Sequence, residues 1–334
     1  MKRLIVIGIV LIGCTVHAQD IHYSQFDAAP LNTNPALLGN FDADYRFVGN
    51  HRTQWRSVTV PYSTFSLSAD ANNVLEKKDV VAGILINQDR AGDSRLNTFQ
   101  VNLGGGYRFR PFKDTTMSLV AAGQIGITNR RLDYAKLRFD NQYDGSQYNS
   151  TIPVAENFVR DGRTYLNFNL GLFYRYDIDK DNHIGAGYGI INLTKPQQSY
   201  YDDMGITLDM HHILHTYGNL KLDWEWTLLP SFMLQTQGKY YEFLMGSLVQ
   251  YDLVNETGAY RAAFAGAHYR SKDAGFVTIG MVYDDWRVGM SYDINFSTLR
   301  VASNYRGALE VSVIYLLRQF RPNMKPHRIC REYI

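Results

Sequence analysis

Residues 163–179 alternate between apolar and polar side chains with a period of two residues. One face is apolar and ends in tyrosine: Leu166, Phe168, Leu170, Leu172, Tyr174 and Tyr176. The other face is mostly polar: Tyr165, Asn167, Asn169, Gly171, Phe173 and Arg175. Only a β-strand has this period. At about 3.3 Å per residue the stretch can cross the roughly 25 Å apolar band of an outer-membrane barrel, which predicts a spanning strand with its apolar face toward lipid.

Similar stretches recur along the whole chain, most clearly at 98–110 and 286–294. The other predicted strands cover 45–51, 60–71, 80–88, 116–127, 183–191, 213–224, 226–237, 240–251, 260–270, 276–283 and 308–317. The pattern therefore predicts an all-β fold, a transmembrane antiparallel β-barrel of about 14 strands that occupies residues 43–317. The alternative is a secreted sandwich or propeller, but strands there average about 5 to 6 residues, and the sequence lacks a propeller's repeat of about 40 to 50 residues.

The connections differ in length on the two sides of the predicted barrel. Several that follow odd-numbered strands are long: 128–162, 192–212 and 295–307. Most that follow even-numbered strands are short, such as 111–115, 180–182 and the pair Asp284-Asp285, although 238–239 and 271–275 are also short on the odd side. Because outer-membrane barrels have long outer loops and short periplasmic turns, we expect both chain termini on the periplasmic side.

The first 18 residues are typical of a signal peptide, with Lys2 and Arg3, an apolar stretch at 4–13 and a small-x-small site at 16–18. Residues 11–14 also match a lipobox, so lipidation of Cys14 stays open. Cleavage after residue 18 would leave Cys330 as the one cysteine, which excludes an internal disulfide but not a free, intermolecular or modified thiol.

Composition agrees with many strands and an aromatic girdle: aromatic residues make up 13% of the 334 residues, with 24 Tyr and 4 Trp. After the N-terminus no apolar run is long enough for a membrane-spanning helix. Removal of Lys2 and Arg3 lowers the count of Lys and Arg from 34 to 32, equal to the 32 Asp and Glu. A net charge near zero gives no reason to expect a nucleic-acid partner.

Residues 19–42 contain Pro30 and Pro35 and are rich in turn formers, so they do not form a central strand. We expect them to pack in or near the barrel lumen. At the other end, residues 318–334 form a basic tail past the last strand, suited to an acidic periplasmic partner or to a solvated tail.

No catalytic, cofactor or metal site is predicted. On a strand His211 and His215 share a face and His212 takes the other, so we interpret them as histidines at the rim of a loop. Asp284-Asp285 is interpreted as a turn, because Asp favours turns through its own backbone hydrogen bonds. The sequence has no G-x-S-x-G, S-x-x-K or P-loop motif, which argues against an enzyme.

One long connection has a composition suited to partner recognition or to a solvated loop folded over the barrel mouth. Its aromatic and basic residues are the candidate contact set: Tyr134, Arg138, Phe139, Tyr143, Tyr148 and Phe158.

The N-terminal third carries a set of short motifs. They are Gln19 to Phe26, Ala29-Pro30, Asn34-Pro35-Ala36-Leu37-Leu38-Gly39, His51-Arg52-Thr53-Gln54-Trp55-Arg56 and Ser68-Ala69-Asp70, and near the C-terminus stands Arg328-Ile329-Cys330. In order and spacing this set resembles the PorP/SprF family of Bacteroidota outer-membrane proteins, although Arg331 stands where that family often has Pro.

The resemblance implies a non-enzymatic outer-membrane barrel that is a component or accessory of the type IX secretion system. Its implied partners are a secreted, adhesin-like cargo protein with a type B C-terminal sorting domain, other secretion or gliding components, and outer-membrane lipid. Asn34, Pro35, Ala36, Gln54, Trp55 and Arg56 are the motif residues, with a structural or a partner-binding role. A general outer-membrane porin is the alternative function.

Overall fold

The computed structural model describes residues 22–54, 60–74, 77–92, 95–111, 116–134, 137–153, 159–256, 259–297 and 306–319. The predicted signal peptide, Cys14, Cys330 and most of the basic tail lie outside these ranges, as do Trp55, Arg56 and Phe158. Within them no helix is long and apolar enough to cross a membrane.

Fourteen strands form the described fold. They are β1 Tyr45–Gln54, β2 Tyr62–Ala71, β3 Val80–Ala91, β4 Leu96–Phe109, β5 Met117–Arg131, β6 Gly162–Asp177, β7 His183–Ile191, β8 His211–Lys221, β9 Trp226–Gln237, β10 Tyr240–Glu256, β11 Ala259–Arg270, β12 Ala274–Tyr283, β13 Trp286–Asn295 and β14 Arg306–Leu317. Each pairs antiparallel with its neighbours in sequence, and β1 pairs with β14 to close the barrel, with Tyr45 opposite Leu317. The predicted all-β antiparallel barrel and its strand number are confirmed.

The observed strand limits differ from the predicted ones mainly outside the apolar band. The strand β5 continues to Arg131 because it stays paired with β6 as far as Gly162, although its last side chains are polar. The strand β10 likewise extends to Glu256, opposite Ala259 of β11. Alternation of apolar and polar side chains marks only the part of a strand that faces lipid, so it underestimates strands that project beyond it.

The apolar faces of the strands point outward. In β6, Leu166 and Leu170 are about half exposed, whereas Asn167 and Asn169 between them are buried. An exposed apolar band around a closed barrel is the surface expected to contact lipid. The stacked rings of Trp286 and Tyr315, with centroids 4.4 Å apart, lie where β13 begins and β14 ends, a position that suits the aromatic girdle of an outer-membrane barrel.

The two ends of the barrel differ. The short-turn end carries the connections after even-numbered strands, together with the start of β1 and the end of β14. The long-loop end carries the connections after odd-numbered strands, including 132–161 and 192–210. The pair Asp284-Asp285 forms the predicted two-residue hairpin between β12 and β13, with Asp284 at a φ of 52°.

The segment before β1 contains three short helical turns, a 3-10 turn Phe26–Ala28, the helix α1 Pro30–Thr33 and a 3-10 turn Pro35–Leu37. Most of its residues are buried. Inward-facing Gln124 and Arg46 donate to carbonyls of this segment, and its Asn34 donates to the Leu172 carbonyl of β6. Most of residues 22–44 therefore lie inside the barrel, and we call residues 22–44 the lumen segment.

The outward face of β6 gives a test of the lipid-facing surface. Arg in place of Leu170, near the middle of β6, should cost about 2–4 kcal/mol of the free energy of unfolding, because a charge at mid-membrane loses its hydration. The matched variant Leu317→Arg, at the end of β14, should cost only about 0–1 kcal/mol. Guanidinium unfolding in lipid vesicles measures both, and equal effects would contradict the assignment of this face to lipid.

Candidate functional site

The lumen segment runs along the barrel axis and is held at several heights. Near the short-turn end, Arg46 Nη2 donates to the Leu37 carbonyl at 3.0 Å, and the Gly39 N–H donates to Asp70 Oδ2 at 2.9 Å. At mid-height, Gln124 Nε2 donates to the Leu31 carbonyl at 3.2 Å. The segment therefore follows the barrel wall through much of its height.

A group of buried charges holds the beginning of the lumen segment. It consists of Arg52, Arg270, Asp293 and Glu310 around Ser24, and we call it the anchor cluster. Arg52 Nη2 lies 2.9 Å from Asp293 Oδ2, and Arg52 Nη1 lies 3.0 Å from Glu310 Oε2. Arg270 Nη1 lies 3.2 Å from the same Asp293 oxygen. Two guanidinium groups thus lie against two carboxylates, and the four side chains come from four strands, β1, β11, β13 and β14.

Ser24 lies at the centre of the anchor cluster. Its backbone N–H donates to Glu310 Oε2 at 2.8 Å, and the Gln25 N–H donates to Glu310 Oε1 at 3.0 Å. The Ser24 hydroxyl donates to Asp293 Oδ1 at 2.8 Å and accepts from Arg270 Nη2 at 2.6 Å and from Arg52. The lumen segment therefore supplies hydrogen-bond donors to the two carboxylates of the anchor cluster and an acceptor for its two guanidinium groups.

Burial makes this arrangement sensitive to any missing partner. The side chains of Arg52, Arg270, Asp293 and Glu310 are at most 2% exposed. Removing one member of a buried ion pair costs about 3–5 kcal/mol, because the charge left behind has neither partner nor water. Next to the cluster, burial and the charge of Glu310 raise the pKa of the Tyr23 phenol above its ordinary value, so it stays neutral.

Asn34 forms a second fixed point in the middle of the lumen. Its Oδ1 accepts from the Ala36 N–H at 2.8 Å, while its Nδ2 donates to the Leu172 carbonyl at 3.0 Å. The same Nδ2 lies 3.0 Å from His215 Nε2. Asn34 caps the 3-10 turn that begins at Pro35, and Asn34 and Ala36 are both fully buried.

Glycines in the wall let Asn34 approach this closely. A Cβ atom at Gly171 of β6 would lie 1.9 Å from Asn34 Oδ1, and one at Gly187 of β7 would lie 2.8 Å from Asn34 Nδ2. Both distances are far below van der Waals contact, so only glycine fits at these positions. Gly171 and Gly187 of the wall thus leave room for Asn34 and the turn that it caps.

One cavity beside the lumen segment is small. A cavity between the segment and the wall, bordered by Asn32, Asn87 and Asn102, has a volume of about 30 Å³. Such a volume holds about one water molecule. This part of the lumen is filled by chain.

The described contact residues of the loop 132–161 make separate contacts, and Phe158 lies outside the described ranges. The Tyr134 hydroxyl donates to the Arg160 carbonyl at 2.6 Å, and burial raises the pKa of this phenol to about 12. The Arg138 guanidinium lies over the Tyr148 ring, 4.9 Å from its centroid. Tyr143 pairs with Tyr148 through a backbone bridge, and both rings are exposed.

The loops 132–161 and 192–210 touch each other over the long-loop end. Arg160 Nε lies 2.9 Å from Asp202 Oδ1, and Arg163 donates to the Ser199 carbonyl at 2.5 Å. Several apolar side chains of these loops remain exposed: Tyr143, Tyr148, Val159, Tyr201, Met204 and Ile206. We call this set the loop surface.

Gln54, the one residue of the motif Gln54-Trp55-Arg56 that the structure describes, lies apart from Asn34, Pro35 and Ala36. Gln54 is the last residue of β1 and stands at the long-loop end, whereas Asn34 lies at mid-height in the lumen. Among the described residues, Gln54 and Asn34 therefore do not belong to one site.

The three histidines diverge as predicted for a strand, but the interpretation of His215 as a loop-rim residue is wrong. His211 Nε2 lies 3.2 Å from Gln235 Oε1, and His212 Nδ1 lies 2.8 Å from the Tyr188 hydroxyl. His215 lies within β8, and its side chain points into the lumen, where it contacts Asn34. In the described part of the chain no group of three His, Cys, Asp or Glu residues could hold a metal ion.

The family model described as type IX secretion system membrane protein PorP/SprF matches residues 15–315, which include the lumen segment and nearly the whole barrel. The chain belongs to the PorP/SprF family. The resemblance noted from the motifs is therefore confirmed, and the family and the fold support a location in the outer membrane. A search of curated proteins found no relative.

Two solved structures share the fold of this PorP/SprF protein. The CymD monoaromatic hydrocarbon channel has a TM-score of 0.51 and 11% identity over 88% of this chain and 94% of its own. The toluene transporter TodX of Pseudomonas putida has a TM-score of 0.51 and 13% identity over 86% and 92%. At this identity the likeness concerns the barrel fold alone.

Reasoning from sequence did not single out the anchor cluster. Ser24 and Arg52 lie within or beside the quoted motifs, but their partners are far away in sequence: Arg270, Asp293 and Glu310. The available signal was the presence of charged residues on the inward faces of β11, β13 and β14. On a barrel strand such residues are also expected for a water-filled pore, so the pattern alone does not indicate an ion-pair cluster.

Substitution of Arg52 tests the anchor cluster of this PorP/SprF protein. Arg52→Ala should lower the free energy of unfolding by about 3–5 kcal/mol, because Asp293 and Glu310 lose a buried partner. Guanidinium unfolding in vesicles measures the loss.

Arg318→Ala is the matched control, since Arg318 pairs with Asp285 where both side chains are 39% or more exposed. An exposed pair contributes about 0–1 kcal/mol. A loss for Arg52→Ala no larger than that for Arg318→Ala would contradict the role given to the anchor cluster.

Proposed function

We propose that this PorP/SprF protein is a closed outer-membrane barrel that binds a secreted type IX cargo protein at its loop surface and anchors or guides it. The observation that carries the proposal is the filled lumen. A partner that cannot enter the barrel has to bind at one of its ends or on its outer wall. The loop surface, with exposed aromatic and apolar side chains on two loops that hold each other, is suited to protein recognition.

Family membership supports the proposed cargo class, since PorP/SprF proteins are membrane proteins of the type IX secretion system. A secreted, adhesin-like protein with a type B C-terminal sorting domain is the cargo we propose. The candidate contacts are Tyr134, Arg138, Phe139, Tyr143, Tyr148 and Phe158 in the loop 132–161. The two exposed tyrosines, Tyr143 and Tyr148, are the best placed for direct contact.

The filled lumen argues against the alternative of a general porin. A barrel of 14 strands lies between the 8-stranded barrels that side chains fill and the 16- to 18-stranded porins with aqueous channels. Here the lumen segment occupies the space that would conduct.

The lengths of the connections support one orientation of the barrel in the membrane. We place the long-loop end outside the cell and the short-turn end in the periplasm, as outer-membrane barrels have it. The end of β14 and the basic tail 318–334 then face the periplasm, where other type IX secretion or gliding components are available as partners. The apolar outer face contacts outer-membrane lipid.

Deletion of residues 137–153 tests the cargo site, since it removes Tyr143 and Tyr148 but leaves β5, β6 and the contact of Tyr134 with Arg160. Cells carrying the deletion should release the cargo into the medium, because its docking residues are gone. Surface labelling of the cargo on intact cells measures the loss, and heat-modifiable migration of the barrel checks that it still folds.

Trp224→Ala is the control, because this side chain is exposed between β8 and β9 at the opposite, short-turn end. It should leave surface display unchanged. Normal display of the cargo on a barrel that lacks 137–153 would refute the assignment of the loop 132–161 to cargo binding.

A further inference from the structure

The apolar outer surface of β4 and β5 ends shortly before the long-loop end of the barrel. Ile127 is 56% exposed and Phe99 is 42% exposed on this outward face. Two residues beyond the level of Phe99, the outward side chains are polar: Asn97 of β4 and, directly opposite, Arg131 of β5. With the usual strand tilt, two residues correspond to roughly 5 Å along the membrane normal. Because a headgroup layer is about 5–8 Å thick, Asn97 and Arg131 lie at headgroup depth.

Two outward-facing arginines flank Asn97. Arg90 of β3 lies opposite Asn97, and Asn97 lies opposite Arg131. Neighbouring strands are about 4.8 Å apart, so the backbones at the two arginines are separated by about 10 Å. Both arginines are exposed. We call Arg90, Asn97 and Arg131 the arginine row.

The side chain of Arg131 lies across the neighbouring strand β6. Arg131 is paired with Gly162, and a Cβ atom at this glycine would lie 2.8 Å from Arg131 Cγ and 3.6 Å from Arg131 Nε. A larger residue at 162 would therefore displace the stem of the arginine. Since the stem already packs on the outer wall, it has less freedom to lose when its guanidinium group binds a ligand.

The arginine row carries positive charge that the protein does not neutralise. Elsewhere many arginines pair with carboxylates, as Arg110 does with Asp79 at 3.1 Å. By contrast, no ion pair or hydrogen bond joins the guanidinium groups of Arg90 and Arg131 to a residue in the described part of the chain. Arg95, in the turn between β3 and β4, adds a further exposed positive charge next to them.

The amide of Asn97 adds a donor between the two arginines. Its Oδ1 accepts from Gln88 Nε2, and Gln88 belongs to the same outward face of β3. The Nδ2 group of Asn97 is then the part of the amide that is left for a ligand. The row thus offers two guanidinium groups and an amide N–H, which are all donors.

We propose that the arginine row binds the phosphate group of a glycolipid in the membrane leaflet at the long-loop end. Guanidinium groups bind phosphate through charge-assisted and often bidentate hydrogen bonds. With the long-loop end outside the cell, this leaflet is the outer one, which in Gram-negative outer membranes consists of lipopolysaccharide. The ligand is therefore a phosphorylated lipid A headgroup, and its acyl chains lie on Phe99 and Ile127.

This inference rests on the proposed orientation of the barrel and not on cargo binding. Labelling on intact cells tests the orientation separately, with Tyr143→Cys in the full chain that also carries Cys14→Ser and Cys330→Ser. A membrane-impermeant maleimide should label this exposed loop residue on intact cells. Labelling only after lysis would overturn the orientation and, with it, the assignment of the row to lipid A.

Titration of the purified full-length protein with lipid A in detergent tests the arginine row itself. Lipid A should raise the midpoint of thermal unfolding, and the concentration dependence gives its apparent affinity. The double variant Arg90→Gln/Arg131→Gln should bind at least about tenfold more weakly, because each charge-assisted hydrogen bond contributes about 1.5–3 kcal/mol. Heat-modifiable migration checks that the variant folds.

The matched control is the double variant Arg261→Gln/Arg318→Gln. It removes the same two charges from exposed positions at the short-turn end, and lipid A affinity should stay as in the unsubstituted protein. An equal loss in the control would overturn the proposal, because any exposed arginine would then serve. So would unchanged affinity after substitution of Arg90 and Arg131, or the lack of any response of the unsubstituted protein to lipid A.

Two further titrations identify the source of the phosphate. Dephosphorylated lipid A should bind at least about tenfold more weakly than lipid A, for the same reason as the arginine variant. Equal binding of the two lipids would contradict recognition of phosphate. Inorganic phosphate that stabilises the protein at the same concentrations as lipid A would show that the row binds free phosphate, and the lipid would then not be its ligand.

Discussion

The compensation of buried charges inside the barrel is the constraint on which the rest of the structure depends. Arg52 and Arg270 face Asp293 and Glu310 in a space from which water is excluded, and the serine that completes the group comes from the lumen segment. Without Ser24 and Gln25, the Glu310 carboxylate would lose two N–H donors. The wall and the segment therefore stabilise each other, and a closed lumen is the state in which the charges are satisfied.

Because the lumen is occupied, partners can reach only the ends and the outer face of the barrel, and the two ends differ. A 14-stranded barrel has more interior space than its own side chains fill. Here the lumen segment, with a short helix that begins at Pro30, occupies that space, and glycines of the wall make room for it. A closed barrel leaves its ends and its outer face available for partners. The long-loop end offers exposed aromatic and apolar side chains, while the short-turn end is made mostly of tight turns. The loops are therefore the surface that we propose for recognition of a secreted protein, and the apolar band is the surface that we propose for contact with lipid.

Much of the barrel could be predicted from the sequence, because lipid imposes a period of two on every spanning strand. The limits of β7 and β9 were predicted as observed, and β5 and β10 were underestimated only where they leave the apolar band. The interior was harder to predict. Polar inward faces are compatible with a water-filled pore and with a packed segment, and the bond between Ser24 and Glu310 joins residues 286 positions apart. His215 was misjudged for the same reason, since its partner Asn34 lies 181 positions away and nothing local indicates the contact.

The most direct measurement of the central claim is the single-channel conductance of the purified full-length protein in planar bilayers. A barrel closed by the lumen segment should show no stable current, while the same barrel without residues 22–40 should conduct, which proves that the assay detects an opened lumen of this size. A steady porin-like current through the full-length protein would contradict the account.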